Sequence, residues 1–354
     1  MIKKIYPIVS LFVLCFFLVS WGGVGHRTIS SKAYLSFPSS MVGFNAWATP
    51  LTDHASDADT RKSSDPNESP KHFLDIENYA EFVSTGRIAL TYDSVVTKHG
   101  ASWVINNGTL PWATLDTYNL LVDDFKKLNW SKAVLDAADL GHYVGDGHQP
   151  LHISANYDGQ KTGQKGIHSR YESDLVADYL SDISNYTGSS VQVVTNVNSY
   201  IFAYIYKNHK YLDSVLIADT YATSTAGDNT SSTYYAALWS KTQFTTTLFK
   251  NASHALAELI YTAWVAGGSP AYGATALSQI NGNIISVYPN PTKGIITMES
   301  DNILKTEVCG VTGKSLGSFT GKQIDLSNLA NGLYILNIYA KEGLLQKEKI
   351  MLAR

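Results

Sequence analysis

Ten histidines are spread over the 354 residues, and a few of them stand at spacings that serve chemistry. His142 and Asp146 lie four apart in Leu140-Gly-His-Tyr-Val-Gly-Asp-Gly147, so on a helix both project from one face toward a shared ion. Pro150 is expected to end that helix and leave His152 just past the terminus, free to turn toward a second ion. His168 and Glu172, in Gly166-Ile-His-Ser-Arg-Tyr-Glu172, repeat the four-residue step on a second expected helix. Neutral imidazole and carboxylate oxygen are good zinc ligands, and two such pairs plus His152 supply enough of them for more than one site. One pair alone is more often a satisfied core or surface pair; the whole set points to metal.

Upstream, Trp21-Gly-Gly-Val-Gly-His26, Asp57 and His72-Phe-Leu-Asp75 add two histidines and several carboxylates. With these, the chain resembles the zinc-dependent phospholipase C and S1/P1 nuclease superfamily, helical enzymes that hold three zinc ions. The resemblance spans nearly the whole middle of the chain. It rests on an ordered series: a Trp exposed by signal cleavage, His five residues later, Asp, His-Phe-x-Asp, His-x-x-x-Asp-x-x-x-x-x-His, and His-x-x-x-Glu. The opening Trp-Gly-x-x-Gly-His and the step of fifteen from Asp57 to His72 follow the nuclease branch. Glu172 in place of Asp, and the absence of cysteines from this segment, follow the bacterial phospholipase branch.

The resemblance implies one zinc on Asp57, His72, His142 and Asp146, and a second on His152, His168 and Glu172. It implies a third on the α-amino and carbonyl groups of Trp21, on His26, and on Asp146 as a shared ligand. An α-amino group titrates near pH ~8 and can be a neutral ligand, which an amide nitrogen cannot. Asp59 competes with Asp57 in Ser56-Asp-Ala-Asp-Thr-Arg61, and spacing favours Asp57. Arg61 is a candidate for steadying phosphate charge, although it falls four residues after Asp57, where the nuclease branch has its Arg at three. Phe73 and Asp75 stand where the nuclease branch contacts a base, but both branches share that tetrad. Clustered zinc ions suit phosphodiester hydrolysis, because a water shared by two cations becomes hydroxide near neutral pH and can attack phosphorus, with Asp57 orienting it or taking its proton. The remaining zinc would offset transition-state charge.

The implied function is therefore that of a secreted trinuclear-zinc phosphodiester hydrolase, leaning to phospholipase C-like activity. An S1/P1-like single-strand nuclease or nucleotidase is the alternative, and a non-catalytic, zinc-braced surface binding module is a second. A metallopeptidase is disfavoured because no His-Glu-x-x-His occurs. The substrate is a phospholipid or single-stranded nucleic acid; a monomer without a stable nucleic-acid partner is expected.

The elements that must position these residues are helical. Apolar residues recur at three and four spacing in 115–128, 133–144, 175–183, 200–218 and 255–265, with a long polar connection at 223–233. This predicts a mainly α protein, an all-helical domain over 21–270. Residues 1–20 read as a signal peptide, with Lys3 and Lys4 ahead of the apolar run from Ile8 to Val19. Residues 271–285 read as a linker, and 286–354 as a small all-β, immunoglobulin-like sandwich with short alternating strands. The tail's Val287-Tyr-Pro-Asn-Pro-Thr-Lys-Gly294, Gly313-Lys314, Leu329-Ala-Asn-Gly-Leu-Tyr334 and Lys349 resemble the type IX secretion sorting domain, which implies export to the medium or outer surface through that machinery. Residues 21–270 carry 17 Lys+Arg against 24 Asp+Glu, a net −7 that argues against a polybasic binder of nucleic acid or membrane. The only cysteines, Cys15 and Cys309, lie outside this segment, so disulfides cannot brace it.

Overall fold

The structure, a computed structural model, describes residues 22–273, 285–300, 303–340 and 343–354. The expected signal peptide, Trp21 and most of the expected linker lie outside them. Two units divide between Tyr272 and Gly273, the first helical and the second all-β, so the mainly α reading with a β tail holds.

The longest helix, Thr245–Ala266, buries Leu248, Phe249, Ala252, Leu256, Leu259, Ile260 and Ala263 at helical spacing. It packs on three others, Gly22–Ala33, Leu110–Lys127 and Trp130–Asp146. Their shared core includes Ile29, Phe125, Leu140 and Val144, and each such fully buried side chain contributes about 1.5–3 kcal/mol. Two glycines let the Gly22–Ala33 helix come close to Trp130–Asp146. A Cβ at Gly141 would lie 2.8 Å from Ser30 Oγ, and one at Gly145 would lie 3.0 Å from His26 Nδ1. A second core gathers Leu74, Ile76, Tyr79, Trp112 and Phe202, and a third joins Leu151, Ile167, Tyr171 and Leu175 to Val215 and Leu238.

Three expected elements differ in detail. The stretch 200–218 forms two helices, Val197–His209 and Leu212–Ala226. Long-range contacts pin the break: Asn208 Nδ2 donates to Gly147 O at 3.0 Å, and Tyr211 stacks on Phe244 at 4.6 Å. Residues 175–183 are interrupted at Tyr179, whose ring stacks on Trp239. The polar connection 223–233 is shorter than expected, because Gly227, at φ 75°, ends one helix and Ser231 caps the next by accepting the Tyr234 N–H.

Among the described residues, the second unit has seven strands: β1 (Val287–Tyr288), β2 (Ile295–Met298), β3 (Lys305–Gly310), β4 (Ser315–Phe319), β5 (Gln323–Asp325), β6 (Gly332–Ala340) and β7 (Gly343–Leu352). They form two antiparallel sheets, β1-β2-β5 and β4-β3-β6-β7. Alternation along β6 turns Tyr334, Leu336 and Ile338 inward, where they share a core with Ile296 and Met298 of the other sheet.

Candidate metal centre

The Trp130–Asp146 helix carries His142 and Asp146 on one buried face, as the four-residue step requires. Asp146 is the hub. Its Oδ1 lies 3.5 Å from His26 Nε2 and 3.4 Å from His152 Nδ1, and its Oδ2 lies 3.1 Å from His72 Nδ1 and 3.5 Å from His142 Nε2. His26 arrives from the Gly22–Ala33 helix and stacks on His142 with ring centroids 3.7 Å apart. Three groups with ligand spacing result: His26, His142 and Asp146; Asp59, His72 and His142; and His152, His168 and Glu172.

The third group is built differently from expectation. The helix ends at Asp146, four residues before Pro150, and His148 closes it by donating Nδ1–H to Val144 O at 2.8 Å. Pro150 instead opens a 3-10 turn, Pro150–Ile153, that carries His152. Glu172 sits in a π turn, Arg170–Asp174, directly after the short helix Ile167–Ser169. Such turns mark places where a helix is bent to aim side chains. Here it brings Glu172 Oε2 to 2.7 Å from His168 Nε2 and 3.1 Å from His152 Nε2. Gln149 Nε2 donates to the same oxygen at 3.1 Å, and the Gly22 N–H donates to Glu172 Oε1 at 3.2 Å.

Backbone carbonyls set how the rings face. Nδ1 of His142, His152 and His168 meets Ala55 O, His72 O and Tyr157 O at 2.8, 2.7 and 2.9 Å, leaving Nε2 for the cluster. His72 is reversed, with Nδ1 3.0 Å from His142 Nε2 and Nε2 3.4 Å from Glu68 Oε1. These two ring nitrogens face each other and need a proton or a cation between them, and His72 Nε2 itself has no hydrogen-bond partner. Asp59 Oδ2 is also buried without a hydrogen-bond partner. Nitrogen and carboxylate donors in groups of three, with no sulfur, fit zinc with a coordination position left for water.

Burial opposes charge at each group, and the neighbours decide the balance. Burial and the adjacent His142 draw His26 down to about 3. At His152 burial is outweighed by Asp146 and Glu172, which raise it to about 9, and Asp146 and Asp59 likewise raise His142. Against the same burial, the imidazoles hold Asp146 and Asp59 below the usual carboxylate range and Glu172 down to about 2. Such a cluster takes up cations of either kind, so metal entry must release protons.

Two expected site residues lie away from the cluster's free donors. Asp59, not Asp57, faces the cluster, with Oδ1 3.6 Å from His72 Nδ1 and 3.5 Å from His142 Nε2. Asp57 is half exposed and bonds His54 Nδ1 at 2.7 Å. Arg61 does not offer a free cation: it grips Asp139 with two bonds, 3.1 and 2.8 Å, and lies 3.4 Å from Glu68 Oε2. Phe73 and Asp75 are half-buried on the stretch that follows His72. Burial and the nearby Glu77 raise Asp75 to about 6. Trp21 lies outside the described residues. Glu68 and Gln149 were not anticipated; both are buried around the cluster, and the signal for Glu68 was its place four residues before His72.

Comparison with solved structures finds the alpha-toxin of Clostridium perfringens from avian strain SWCP, 12% identical, covering 94% of this chain and 94% of that one at a TM-score of 0.46. It also finds the alpha toxin of Clostridium absonum, 12% identical, covering 94% and 96% at a TM-score of 0.44. No curated protein matches the sequence. Residues 286–353 match the family described as "Secretion system C-terminal sorting domain". The β unit is thus a type IX sorting domain that engages the secretion machinery, and the chain is an exported protein of the medium or outer cell surface.

Proposed function

We propose that the helical unit is a zinc-dependent phosphodiester hydrolase holding three ions. The observation that carries this is the arrangement of three ligand groups, two sharing His142 and the third beside them, with Asp146 facing four imidazoles through its two oxygens. Asp59, His72, His142 and Asp146 would hold one ion, His152, His168 and Glu172 a second, and His26 with Asp146 and the Trp21 terminus a third. When bound, zinc would acidify a water near neutral pH and offset charge on the phosphorus oxygens.

The chain's own groups have defined tasks in this reading. Asp59 Oδ1 is tied to Lys62 Nζ at 2.7 Å, while Oδ2 has no hydrogen-bond partner and is placed to orient a water or take its proton. His26, His142 and His152 are fixed by stacking or by carbonyls, so the cluster is preorganised. The half-buried Phe73 and Asp75 would meet the substrate group beyond the phosphate. Glu172 and the cysteine-free helical unit favour a phospholipase C-like substrate. The Trp21-Gly-Gly-Val-Gly-His26 opening is the specific feature that favours the nuclease reading.

The test offers zinc-loaded protein beginning at Trp21 to phosphatidylcholine vesicles and to single-stranded DNA in parallel, with a chelated control. Chelator-sensitive release of phosphocholine is expected. DNA shortening alone would move the assignment to the nuclease branch. Tight zinc with no turnover of either would leave the zinc-braced binding module.

A further inference from the structure

His142, His152 and His168 are oriented by backbone carbonyls, which no substitution removes. His72 is the exception. Its outward nitrogen is buried without a hydrogen bond and has a side-chain oxygen, Glu68 Oε1, 3.4 Å away, one helical step back in the sequence. Glu68 is only 1% exposed, and a carboxylate so buried needs countercharge. That is supplied at its other oxygen: Lys71 Nζ lies 2.9 Å and Arg61 Nε 3.4 Å from Oε2. Its Oε1 faces the Tyr143 hydroxyl, which donates to it, and His72.

We propose, on the zinc-site reading above, that Glu68 is a positioning residue that fixes His72 with Nδ1 toward the metal, and that Arg61 braces it by linking Glu68 to Asp139 of the Trp130–Asp146 helix. Arg61 then has a defined task, although it offers no free charge to phosphate. His72 also ties two ligand groups together, because its carbonyl orients His152 while its ring faces His142. A loosened His72 ring should thus weaken one ion and leave the His152, His168 and Glu172 group in place.

The test compares mature wild-type protein with Glu68→Met, similar in length but without an acceptor, and Glu68→Gln, whose amide oxygen can still accept from Nε2. Zinc equivalents and affinities are read by chelator competition, and cadmium-loaded samples by their ¹¹³Cd resonances. Glu68→Met should weaken one equivalent about 10- to 100-fold. Glu68→Gln should restore most of that loss while shifting one ¹¹³Cd resonance and leaving the others in place. Tyr143→Phe, which removes the other bond to Oε1, should change affinity less than Glu68→Met. Unchanged affinities in Glu68→Met, or equal weakening at every ion, would overturn the positioning role. If Glu68→Met does not fold, a Glu68→Gln spectrum with no resonance moved overturns it instead. A wild type that binds no zinc would point to failure of the zinc reading itself.

Discussion

Asp57 and Asp59 differ by two residues and by everything around them. Asp57 forms one ion pair with His54, and both side chains are nearly half exposed, at 47% and 43%. An exposed pair of this kind stabilises by no more than about 1 kcal/mol, so Asp57→Asn should shift the urea midpoint slightly and leave zinc content intact. The Asp59 side chain is 15% exposed and faces His72 and His142. Asp59→Asn keeps its volume but removes a negative ligand from between two imidazoles, so one zinc equivalent should be weakened or lost. If its free oxygen also moves the water's proton, turnover should fall by about 10²- to 10⁴-fold. Zinc is counted by plasma mass spectrometry, and turnover is followed with bis(p-nitrophenyl) phosphate. Loss of zinc and turnover in Asp57→Asn, with Asp59→Asn behaving as wild type, would refute the placement of these carboxylates.

Asp146→Ala removes the group that four imidazoles share, so metal analysis should show two ions lost; full zinc content would show that Asp146 is not a common ligand. Gly108 sits at φ +86°, and a Cβ there would lie 2.0 Å from Phe73 O. Gly108→Ala should therefore cost more than about 2 kcal/mol in urea unfolding, and a neutral result would mean that the 72–75 stretch is free to shift. Asp75, raised by burial and Glu77 from 3.8 to about 6, favours the folded state fully below its unfolded value, and that benefit is lost as pH rises through 6. Asp75→Asn should then gain about 1–2 kcal/mol at pH 8, allowing for partial exposure, with the gain shrinking as pH falls toward 4. A gain independent of pH would contradict the titration, and a fall in turnover alongside the gain would support a substrate contact.

The i,i+4 pairs were legible because helix geometry alone makes such residues neighbours, and even the π turn at Glu172 preserves that adjacency. The choice between Asp57 and Asp59 was not legible from spacing. On the short helix Asp57–Arg61, residues two apart point about 200° from each other, and only the packing of that helix decides which faces inward. Glu68 stands at helical spacing before Lys71 and His72, but its partners Arg61 and Tyr143 come from elsewhere in the fold, and only that packing shows that it is buried against the cluster. The break within 200–218 has the same origin, since apolar periodicity runs through it while Asn208 and Tyr211 are held by distant segments. The strands of the tail were readable because turn glycines and period-two alternation are local.

Where the helical unit ends can be decided by truncation. Trp264 Nε1 donates to Pro270 O at 2.8 Å, and the ring of Tyr272 packs against Phe44 and Trp130 with centroids 5.1 and 5.7 Å apart. A Cβ at Gly43 would meet Tyr272 Cβ at 2.9 Å, so this ring fits closely over the 39–47 turns. Residues 270–272 therefore pack on the helical unit, two residues beyond the composition-based boundary at 270. A chain ending at Gly273 should keep the melting temperature and zinc content of the helical unit, whereas one ending at Gly268 loses the Tyr272 aromatic contacts and the Trp264 bond. Aromatic pairs contribute about 0.5–1.5 kcal/mol each beyond burial, and a buried donor left unmet costs about 1–3 kcal/mol. The shorter chain should then be less stable by several kcal/mol, read by urea unfolding on purified protein. Equal stability of the two would remove Tyr272 from the core. Both should stay inside the cell when expressed in the native host, since each lacks the sorting domain at 286–353. Secretion of the chain ending at Gly273 would instead show that export does not depend on that tail.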